Sequence, residues 1–289
     1  MNDDRTWLAD EFEVSRPYLR GVAYRMLGSF SEADDALQEA WIRLDRTDTD
    51  RIEDLRAWLT TVVARICLDM LRSRRARREE SVEGWLPEPI VTDASGPEDE
   101  VLIADSVGLA LLIVLEHLSP AERVAFVLHD VFAMPFEEIS DVVGRTPEAT
   151  RQLASRARRR VRGATPSVEN DPKEQRRVVD AFLAASRAGD LAMLLEVLDP
   201  DVVFRADMGV GGPRVPALIT GSSAVAEQVL TNGTPLAALA KPVLVNGTAG
   251  VVVGDRETPM AVVSFVVRHG RILEIDLIGD PEKIRSKRG

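Results

Sequence analysis

The polar side chains best arranged to bind a partner molecule lie in one basic segment, residues 146–162. Thr146 can cap a helix, and Pro147 suits a first helical turn. An apolar stripe at four-residue spacing consists of Ala149, Leu153, Ala157 and Val161. The opposite face carries Glu148, Arg151, Gln152, Ser155, Arg159 and Arg162. Because such groups bind DNA bases and phosphates, the segment predicts a DNA-reading helix. The alternative is an ordinary solvated basic helix.

The element that must position this helix precedes it directly. Residues 136–144 predict a short amphipathic helix that Gly144 ends. Helix, glycine turn and basic helix together predict a helix-turn-helix. Within it we expect base contacts from Glu148, Arg151, Gln152, Ser155 and Arg159, and phosphate contacts from Arg156, Arg160 and Arg162.

The net charge of the 289-residue chain is −11, which opposes unassisted binding to DNA. Positive charge is concentrated in residues 72–78 and 145–162, and residues 81–122 contain no Lys or Arg. This distribution suits a protein that binds DNA well only when a larger partner supplies most phosphate contacts. The acidic start and the lack of a long apolar run predict a cytoplasmic protein without a membrane span. Cys67, the single cysteine, falls in an apolar pattern and is expected to be buried.

The N-terminal part predicts three helices. An apolar stripe over 12–27 ends at residues 28–31, and Ser31 is expected to cap an acidic helix over 32–44. A polar loop over 45–54 and a long amphipathic helix from Leu55 into the basic residues 72–78 follow. The acidic surface of the second helix is either dipole compensation or a docking face for a basic partner.

Two blocks of sequence resemble the extracytoplasmic-function sigma factors of bacterial RNA polymerase. Residues 31–44 with 56–65 resemble region 2, and residues 118–128 with the helix-turn-helix resemble region 4. Ser119 and Glu122 also predict a capping box, with Pro120 at the first helical position.

The resemblance implies partners and site residues. Core RNA polymerase would be bound through its clamp coiled coil and flap, and promoter DNA through both regions. The clamp would contact Asp34, Asp35, Gln38, Glu39 and Trp41. The loop over 45–54 and the next helix would open and hold the −10 element, with contacts from Arg65, Asp69 and Arg72. The basic helix would read the −35 element.

The linker sequence Gly-Trp-Leu-Pro-Glu-Pro, residues 84–89, resembles that of sigma factors with a fused C-terminal SnoaL-like domain, the sigma-J type. The resemblance implies a regulatory interface that involves Trp85, Leu86 and Pro87. From the residues alone, the Trp-Leu pair is either an exposed docking segment or a pair packed onto a neighbouring domain.

The C-terminal third predicts helices followed by a curved antiparallel sheet. A helical pattern over 173–198 is interrupted at 189–190, and β-rich runs follow. The order resembles the SnoaL-like, NTF2-like cone. Two stretches, 207–212 and 280–284, resemble motifs of the sigma-J type but depart from them, and Arg214 is the candidate for a missing lysine. The interface residues they imply are Asp207, Gly209, Gly211, Pro281 and Lys283. The alternative is a tight turn and a polar chain end.

Three side chains are candidates for catalysis in such a cone: Asp207, Asp276 and His269. His269 falls in a predicted hairpin turn and is expected at the surface. Asp276 alternates with apolar neighbours and could point inward. Since fold alone assigns no chemistry, we expect no enzyme, no cofactor and no metal.

The sequence thus predicts a multidomain protein with two all-α sigma domains and a C-terminal α+β cone. The predicted segments are region 2 over 1–80, an acidic linker over 81–107, region 4 over 108–165 and the SnoaL-like domain over 172–289. The predicted function is promoter-specific initiation of transcription on core RNA polymerase, modulated by the C-terminal domain without requiring a separate anti-sigma protein. The alternative is a helix-turn-helix regulator with a ligand-sensing NTF2-like domain.

Overall fold

A computed structural model describes residues 2–48, 52–78, 85–92, 108–164, 171–213 and 215–284. The chain forms two compact units. The first, called the helical unit, comprises Met1–Ser81 and Val114–Gly163. The second, called the C-terminal unit, comprises Val82–Ile113 and Ala164–Gly289. The segments predicted as regions 2 and 4 therefore belong to one compact unit, and most of the predicted linker is grouped with the C-terminal unit.

The helical unit is built from long helices and short turns. Its helices are α1 (Asn2–Leu27), α2 (Phe30–Asp45), α3 (Leu55–Arg78), the end of α4 (Leu109–Glu116), α5 (Pro120–Phe126), α6 (Phe136–Val143) and α7 (Pro147–Ala164). The apolar stripe predicted in α1 is buried throughout, from Phe12 to Leu27. In α3 the single thiol, Cys67, is fully buried as predicted, and burial raises its pKa to about 12.

The helix boundaries follow local signals, with one correction. Ser29, not Ser31, caps α2, because Ser29 has an extended backbone and its hydroxyl accepts a hydrogen bond from the Glu32 amide. The predicted capping box of Ser119 and Glu122 is present. Gly144 ends α6 in the left-handed conformation at φ 70°, as predicted for the turn of the helix-turn-helix.

The C-terminal unit places helices against one mixed sheet. The helices are α8 (Pro172–Ala188), α9 (Leu191–Val197), α10 (Ser222–Gln228), α11 (Thr234–Ala238) and α12 (Pro281–Ile284), with a π-helical turn at Val229–Gly233. The strands are β1 (Val91–Thr92), β2 (Leu198–Asp207), β3 (Leu218–Thr220), β4 (Ala240–Val245), β5 (Thr248–Gly254), β6 (Pro259–Arg268) and β7 (Arg271–Ile278).

The strand order is β1-β4-β5-β6-β7-β2-β3, which corrects the predicted antiparallel sheet at one place. Strand β2 pairs with β7 in parallel, and the other pairs are antiparallel. The cause is the connection after β2, which runs through β3 and the helices α10 and α11 before the β4–β7 meander begins. The meander then brings β7 alongside β2 in the same direction. The α+β class of this domain is as predicted.

Two sheet features could not be expected from strand patterns alone. Strand β1 comes from the linker and pairs with the edge strand β4, with Val91 opposite Val245. The β4–β5 hairpin turns at Asn246 and Gly247, both with positive φ, which is the usual backbone conformation of a two-residue turn.

In the described part of the chain, no helix is long and apolar enough to cross a membrane.

Candidate nucleic-acid interface and linker site

The outer face of α7 is arranged as a DNA-reading surface requires. The Thr146 hydroxyl accepts a hydrogen bond from the Ala149 amide at 3.3 Å, which fixes the start of the helix. Inner-face residues such as Leu153 and Ala157 are buried. The outer face is exposed at every predicted base-reading position, namely Glu148, Arg151, Gln152, Ser155 and Arg159.

The arginines of α7 differ in their intramolecular partners. Arg151 lies over the Phe136 ring and pairs with the exposed Glu137 at 3.0 Å, a solvent-screened contact of little energetic weight. Arg156 and Arg160 both pair with the buried carboxylate of Glu122, at 3.1 and 2.8 Å. Although burial raises the pKa of Glu122, the Ser119 hydrogen bonds and these arginines lower it below its ordinary value. Arg156 and Arg160 thus tie α7 to the start of α5, and their predicted DNA contacts stay predictions.

The predicted −10 residues share the exposed side of α3. Arg65, Asp69 and Arg72 are all exposed, and Arg72 pairs with Asp69 at 3.3 Å. One guanidinium nitrogen of Arg65 donates a hydrogen bond at 3.1 Å to the backbone oxygen of Asp141 in α6. A side chain predicted to contact the −10 element is therefore bonded to the predicted region 4. Of the loop predicted to open the DNA, residues 49–51 lie outside the described residues.

The predicted polymerase-binding residues occupy one side of α2. Asp34, Asp35 and Gln38 are exposed, while Glu39 and Trp41 are half-buried. The Trp41 ring packs at 5.1 Å on Phe12, and Asp34 pairs with Arg20 at 2.9 Å. The acidic face is therefore open to a partner, although Asp34 already has an intramolecular cation.

A buried ionic network joins the two predicted sigma regions inside the helical unit. Arg74 of α3 pairs with Glu32 of α2 and lies 3.7 Å from Glu116, which in turn pairs with Arg123 of α5. Tyr18 of α1 also packs edge-on against Phe132, with the ring centroids 5.5 Å apart. Neither Arg74 nor Arg123 was predicted as an interface residue. Arg74 is one of five arginines in a basic run and carries no signal of its own, and the carboxylate that pairs with Arg123 belongs to another helix.

The linker residues predicted for regulation are fastened to the C-terminal unit by a group we call the linker clasp: Leu86, Asp207 and Lys283. Asp207 accepts a hydrogen bond from the Leu86 amide at 2.9 Å. The Lys283 ammonium contacts the same carboxylate oxygen at 2.5 Å and donates to the Leu86 carbonyl at 2.6 Å. It also lies 4.4 Å from the centre of the Trp85 ring. Of the two alternatives, the Trp-Leu pair is therefore packed onto a domain, with Leu86 and Pro87 buried.

The clasp is a charged pair removed from water. Lys283 and Asp207 expose only 10% and 11% of their side chains. Burial lowers the pKa of the Lys283 ammonium, and the hydrogen bond and charge of Asp207 oppose this. A buried ion pair of this kind depends strongly on both partners being present, because removing one leaves the other charge uncompensated.

The two predicted motifs, residues 207–212 and 280–284, position the charged side chains of the clasp. Gly209, at φ 69°, donates its amide hydrogen to Asp207 at 3.1 Å, and a Cβ there would lie 2.8 Å from Asp280. Gly211 also has a positive φ of 80°. Exposed Pro281 begins α12, which presents Lys283. The two motifs thus meet in space, although Gly84 and Arg214 lie outside the described residues.

A second attachment of the linker was not foreseen. The Ile90 amide donates to the side-chain oxygen of Asn246 at 3.0 Å, and the Asn246 amide donates to the Ile90 carbonyl at 2.8 Å. The Asn-Gly pair at 246–247 is a hairpin signal that could have predicted the turn. It could not have predicted the contact with Ile90, because the two partners lie 156 residues apart.

The candidate catalytic residues are not brought together. His269 lies exposed at φ 51° in the β6–β7 turn, as predicted. A cavity faces Ile275 and Leu277, so Asp276 between them points to the other face of the sheet, which overturns its possible inward orientation. There its carboxylate pairs with Arg205 at 3.0 Å.

The buried Asp276 gives a testable pH dependence. Burial raises its pKa to about 6 from an ordinary 3.8, with Arg205 opposing. Between these values the folded state holds a proton that the unfolded state has lost, so stability falls as pH rises. The free energy of unfolding of Asp276→Asn minus that of wild type should therefore increase by roughly 3 kcal/mol as pH rises from 4 to 6. Above pH 6 this difference should stay nearly constant. Urea unfolding at each pH measures the difference. Parallel curves would contradict it, and the exposed Asp201→Asn is the control.

Comparisons with known proteins agree with the two-block sequence pattern. The Sigma-70 region 2 family model matches residues 12–77, and the Sigma-70 region 4 model matches residues 109–161. The chain is 42% identical over 287 residues to the ECF RNA polymerase sigma factor SigJ of Mycobacterium tuberculosis, covering 94% of this chain and 92% of that protein. It is 35% identical to the probable ECF RNA polymerase sigma factor SigI of the same species, covering 94% and 93%.

A solved structure extends the similarity to the fold. The crystal structure of the M. tuberculosis extracytoplasmic function sigma factor SigJ matches with a TM-score of 0.77 and 38% identity, covering 95% of this chain and 97% of that one. The match includes both predicted sigma regions and the C-terminal unit. It confirms the predicted fold class, and the resemblance inferred from the sequence is confirmed with it.

Proposed function

Because this chain belongs to the extracytoplasmic function family of RNA polymerase sigma factors, we propose that α7 reads the −35 promoter element and that α3 holds the −10 element. Proteins of this family bind core RNA polymerase and direct it to promoters, so the chain is a transcription initiation factor. The alternative of a simple helix-turn-helix regulator is set aside, since both sigma regions match in one chain. The boundaries of the four predicted segments stay proposals.

The observation that carries the −35 proposal is the exposed face of α7. Arg151, Gln152 and Ser155 lie on that face, while Leu153 and Ala157 anchor the opposite one. Arginine and glutamine side chains bind guanine and adenine edges in the major groove through paired hydrogen bonds. For the −10 element we propose contacts from the exposed α3 residues already described. For core polymerase we propose contacts from the acidic side of α2 to the clamp and from region 4 to the flap.

The compact helical unit supports a resting state in which the promoter is not yet bound. A compact unit of about 130 residues has a diameter of about 35 Å. The −10 and −35 positions lie about 25 base pairs apart, which is about 85 Å at 3.4 Å per base pair. Regions 2 and 4 cannot reach both elements from within one such unit. We therefore propose that they separate on the polymerase, breaking contacts such as that between Arg65 and Asp141.

The linker clasp supports a regulatory role for the C-terminal unit. The chain between Arg78 and Gly108 is about 30 residues long and can extend to about 100 Å, enough for that separation. Residues 85–92 are tied to the C-terminal unit at the clasp and at β1, which reduces the chain length available for that separation. We propose that the clasp restrains separation of the two regions and takes the part of a separate anti-sigma protein. Its residues would be Trp85, Leu86, Pro87, Asp207, Gly209, Gly211, Pro281 and Lys283.

We also propose that the chain acts in the cytoplasm, with core polymerase, and is not an enzyme. Support for the second point comes from the orientation of Asp276, which faces away from the cavity of the C-terminal unit. Of the other two candidates, His269 is exposed in a turn, and Asp207 is held by the clasp. No cofactor is required for the proposed activity.

Arg151→Ala tests the −35 proposal. In run-off transcription with core polymerase on templates varied at each −35 position, we expect selectivity at one base pair to fall about 5- to 150-fold, the loss of 1–3 kcal/mol of discrimination. Folding should be little affected, because the Arg151 pair with Glu137 is exposed.

The matched control is Arg162→Ala at the exposed end of the same helix. It should weaken all templates alike and make binding less dependent on salt, as loss of a phosphate contact does. Uniform weakening by Arg151→Ala as well would mean that Arg151 only holds the DNA backbone. Unchanged transcription with both variants would contradict the reading of the −35 element by α7.

A further inference from the structure

The C-terminal unit contains a cavity of about 110 Å³ that neither promoter binding nor the linker clasp uses. It lies between one face of the sheet, the helix α8 and the segment from the π-helical turn to α11. Aromatic rings of Phe182, Phe204 and Phe265 form much of its wall. Phe182 and Phe265 pack against each other with centroids 5.4 Å apart, so this part of the wall is rigidly packed.

The chemistry of the wall excludes a charged ligand. No charged side chain lines the cavity among the residues that the structure describes there, and nearly all the lining atoms are carbon. The one deep hydroxyl, Ser186, donates its hydrogen to the Phe182 carbonyl at 2.7 Å and is already satisfied. Apolar cavities of this kind stay dry and take up apolar molecules, as an engineered cavity of about 150 Å³ does with benzene.

The opening of the cavity is also suited to a ligand. Partly exposed apolar side chains, including Leu236 and Leu277, continue the wall to the surface. Gln228 and Asn232 lie at the rim, where an amide can bind one uncharged polar substituent. Asn232 lies in the π-helical turn and Gln228 directly precedes it, and such turns are common at functional sites.

The wall beneath this rim is held in place independently of any ligand. The Arg187 guanidinium donates to the backbone oxygens of Ala237 at 2.9 Å and Ala240 at 3.3 Å. These bonds fasten α11 and the start of β4 to the long helix α8. A preformed apolar cavity binds without the cost of ordering its walls.

We propose that the C-terminal unit binds a small, uncharged, apolar molecule of about the size of one aromatic ring in this cavity. The binding site is defined by Phe182, Phe204, Val251, Phe265 and Ile275, with Gln228 and Asn232 at its opening. The proposal depends on the cavity alone, and it would hold even if the linker clasp had no regulatory role.

Benzene is the probe, and thermal unfolding of the full-length chain is the measurement. We expect the unfolding temperature of the C-terminal unit to rise saturably, by about 3 to 6 °C at ten times the dissociation constant. Val251→Phe fills the cavity and should abolish the rise. Ala237→Leu fills it from the other wall and serves if the first variant does not fold.

The matched control is Val210→Phe, the same substitution at a fully exposed position of the same unit. It should keep the wild-type response to benzene. Absence of a rise in the wild-type chain would overturn the proposal. So would an equal rise in the wild-type chain and the filled variants, or a rise that grows linearly without saturation.

Discussion

Reversing the charge of Asp34 and Asp35 together, each to lysine, should lower the affinity of the chain for core RNA polymerase by at least about 100-fold. Both side chains are exposed at the start of α2, the proposed clamp-binding surface. Two lysines there would face a basic partner, and like charges across an interface cost several kcal/mol, each 1.4 kcal/mol being tenfold in affinity. Binding to core enzyme in a titration at fixed salt gives the measurement.

The single variants at Asp34 and Asp35 separate the contribution of each side chain to the affinity for core RNA polymerase. Asp34→Lys also removes the pair with Arg20, although that contact is largely exposed and has little weight in stability. We expect Asp35→Lys alone to lower the affinity for core RNA polymerase tenfold or more. Asp201→Lys, an exposed acid on β2, is the control and should bind like wild type. If the double variant binds core polymerase normally, α2 is not the docking surface.

Elements set by nearby residues could be predicted from the sequence. Gly144 ends α6 because it can adopt a positive φ, and the Ser119–Glu122 capping box begins α5 because both partners lie within one turn. The single failure of this kind was the cap of α2, where two serines lie two residues apart. The choice of Ser29 depends on its extended backbone rather than on residue type.

Contacts between distant residues were beyond local reasoning. Leu86 and Lys283 are 197 residues apart, and nothing in the spacing of either predicts that an ammonium and a carbonyl meet. Only the resemblance to the sigma-J type pointed to both of them. The parallel pairing of β2 with β7 was missed for the same reason, since strand patterns specify faces but not neighbours.

The orientation of Asp276 shows a third limit. Alternation along β7 establishes that Asp276 and its neighbours Ile275 and Leu277 face opposite sides. It does not establish which side lines the cavity, because both faces of this sheet are apolar. A second cluster of Val243, Val252 and Val262 covers the face away from the cavity. A pattern of burial on both faces therefore leaves the inward direction open.

Lys283→Met should open the linker clasp, and a protease should then cleave the chain at Trp85 at least about 100-fold faster. The ammonium makes its contacts with Asp207, the Leu86 carbonyl and the Trp85 ring from a nearly buried position. Removing one partner of a buried pair costs about 3–5 kcal/mol, because the remaining charge is left without compensation. If the free energy needed to open the linker locally falls by this amount, the open population rises accordingly. The rate of chymotrypsin cleavage after Trp85 then rises in proportion to that population.

A cycle of variants separates the clasp from general damage to the fold. Asp207→Asn should open the linker like Lys283→Met, and the double variant should cost less than the sum of the two, since no charge is then left buried alone. Glu282→Gln, an exposed neighbour on α12, should be cleaved at the wild-type rate. A chain that stops at Ile284 keeps Lys283 and should also behave like wild type.

The same variants test whether the clasp restrains the sigma regions. If a tied linker hinders the separation of regions 2 and 4, its release by Lys283→Met should raise run-off transcription on core polymerase above that of wild type and Glu282→Gln. Faster cleavage with unchanged transcription would mean that the clasp fastens the linker without regulating initiation. Unchanged cleavage would mean that Asn246 and the β1–β4 pairing hold the linker on their own. Each outcome assigns the linker's attachment to one of its two anchors.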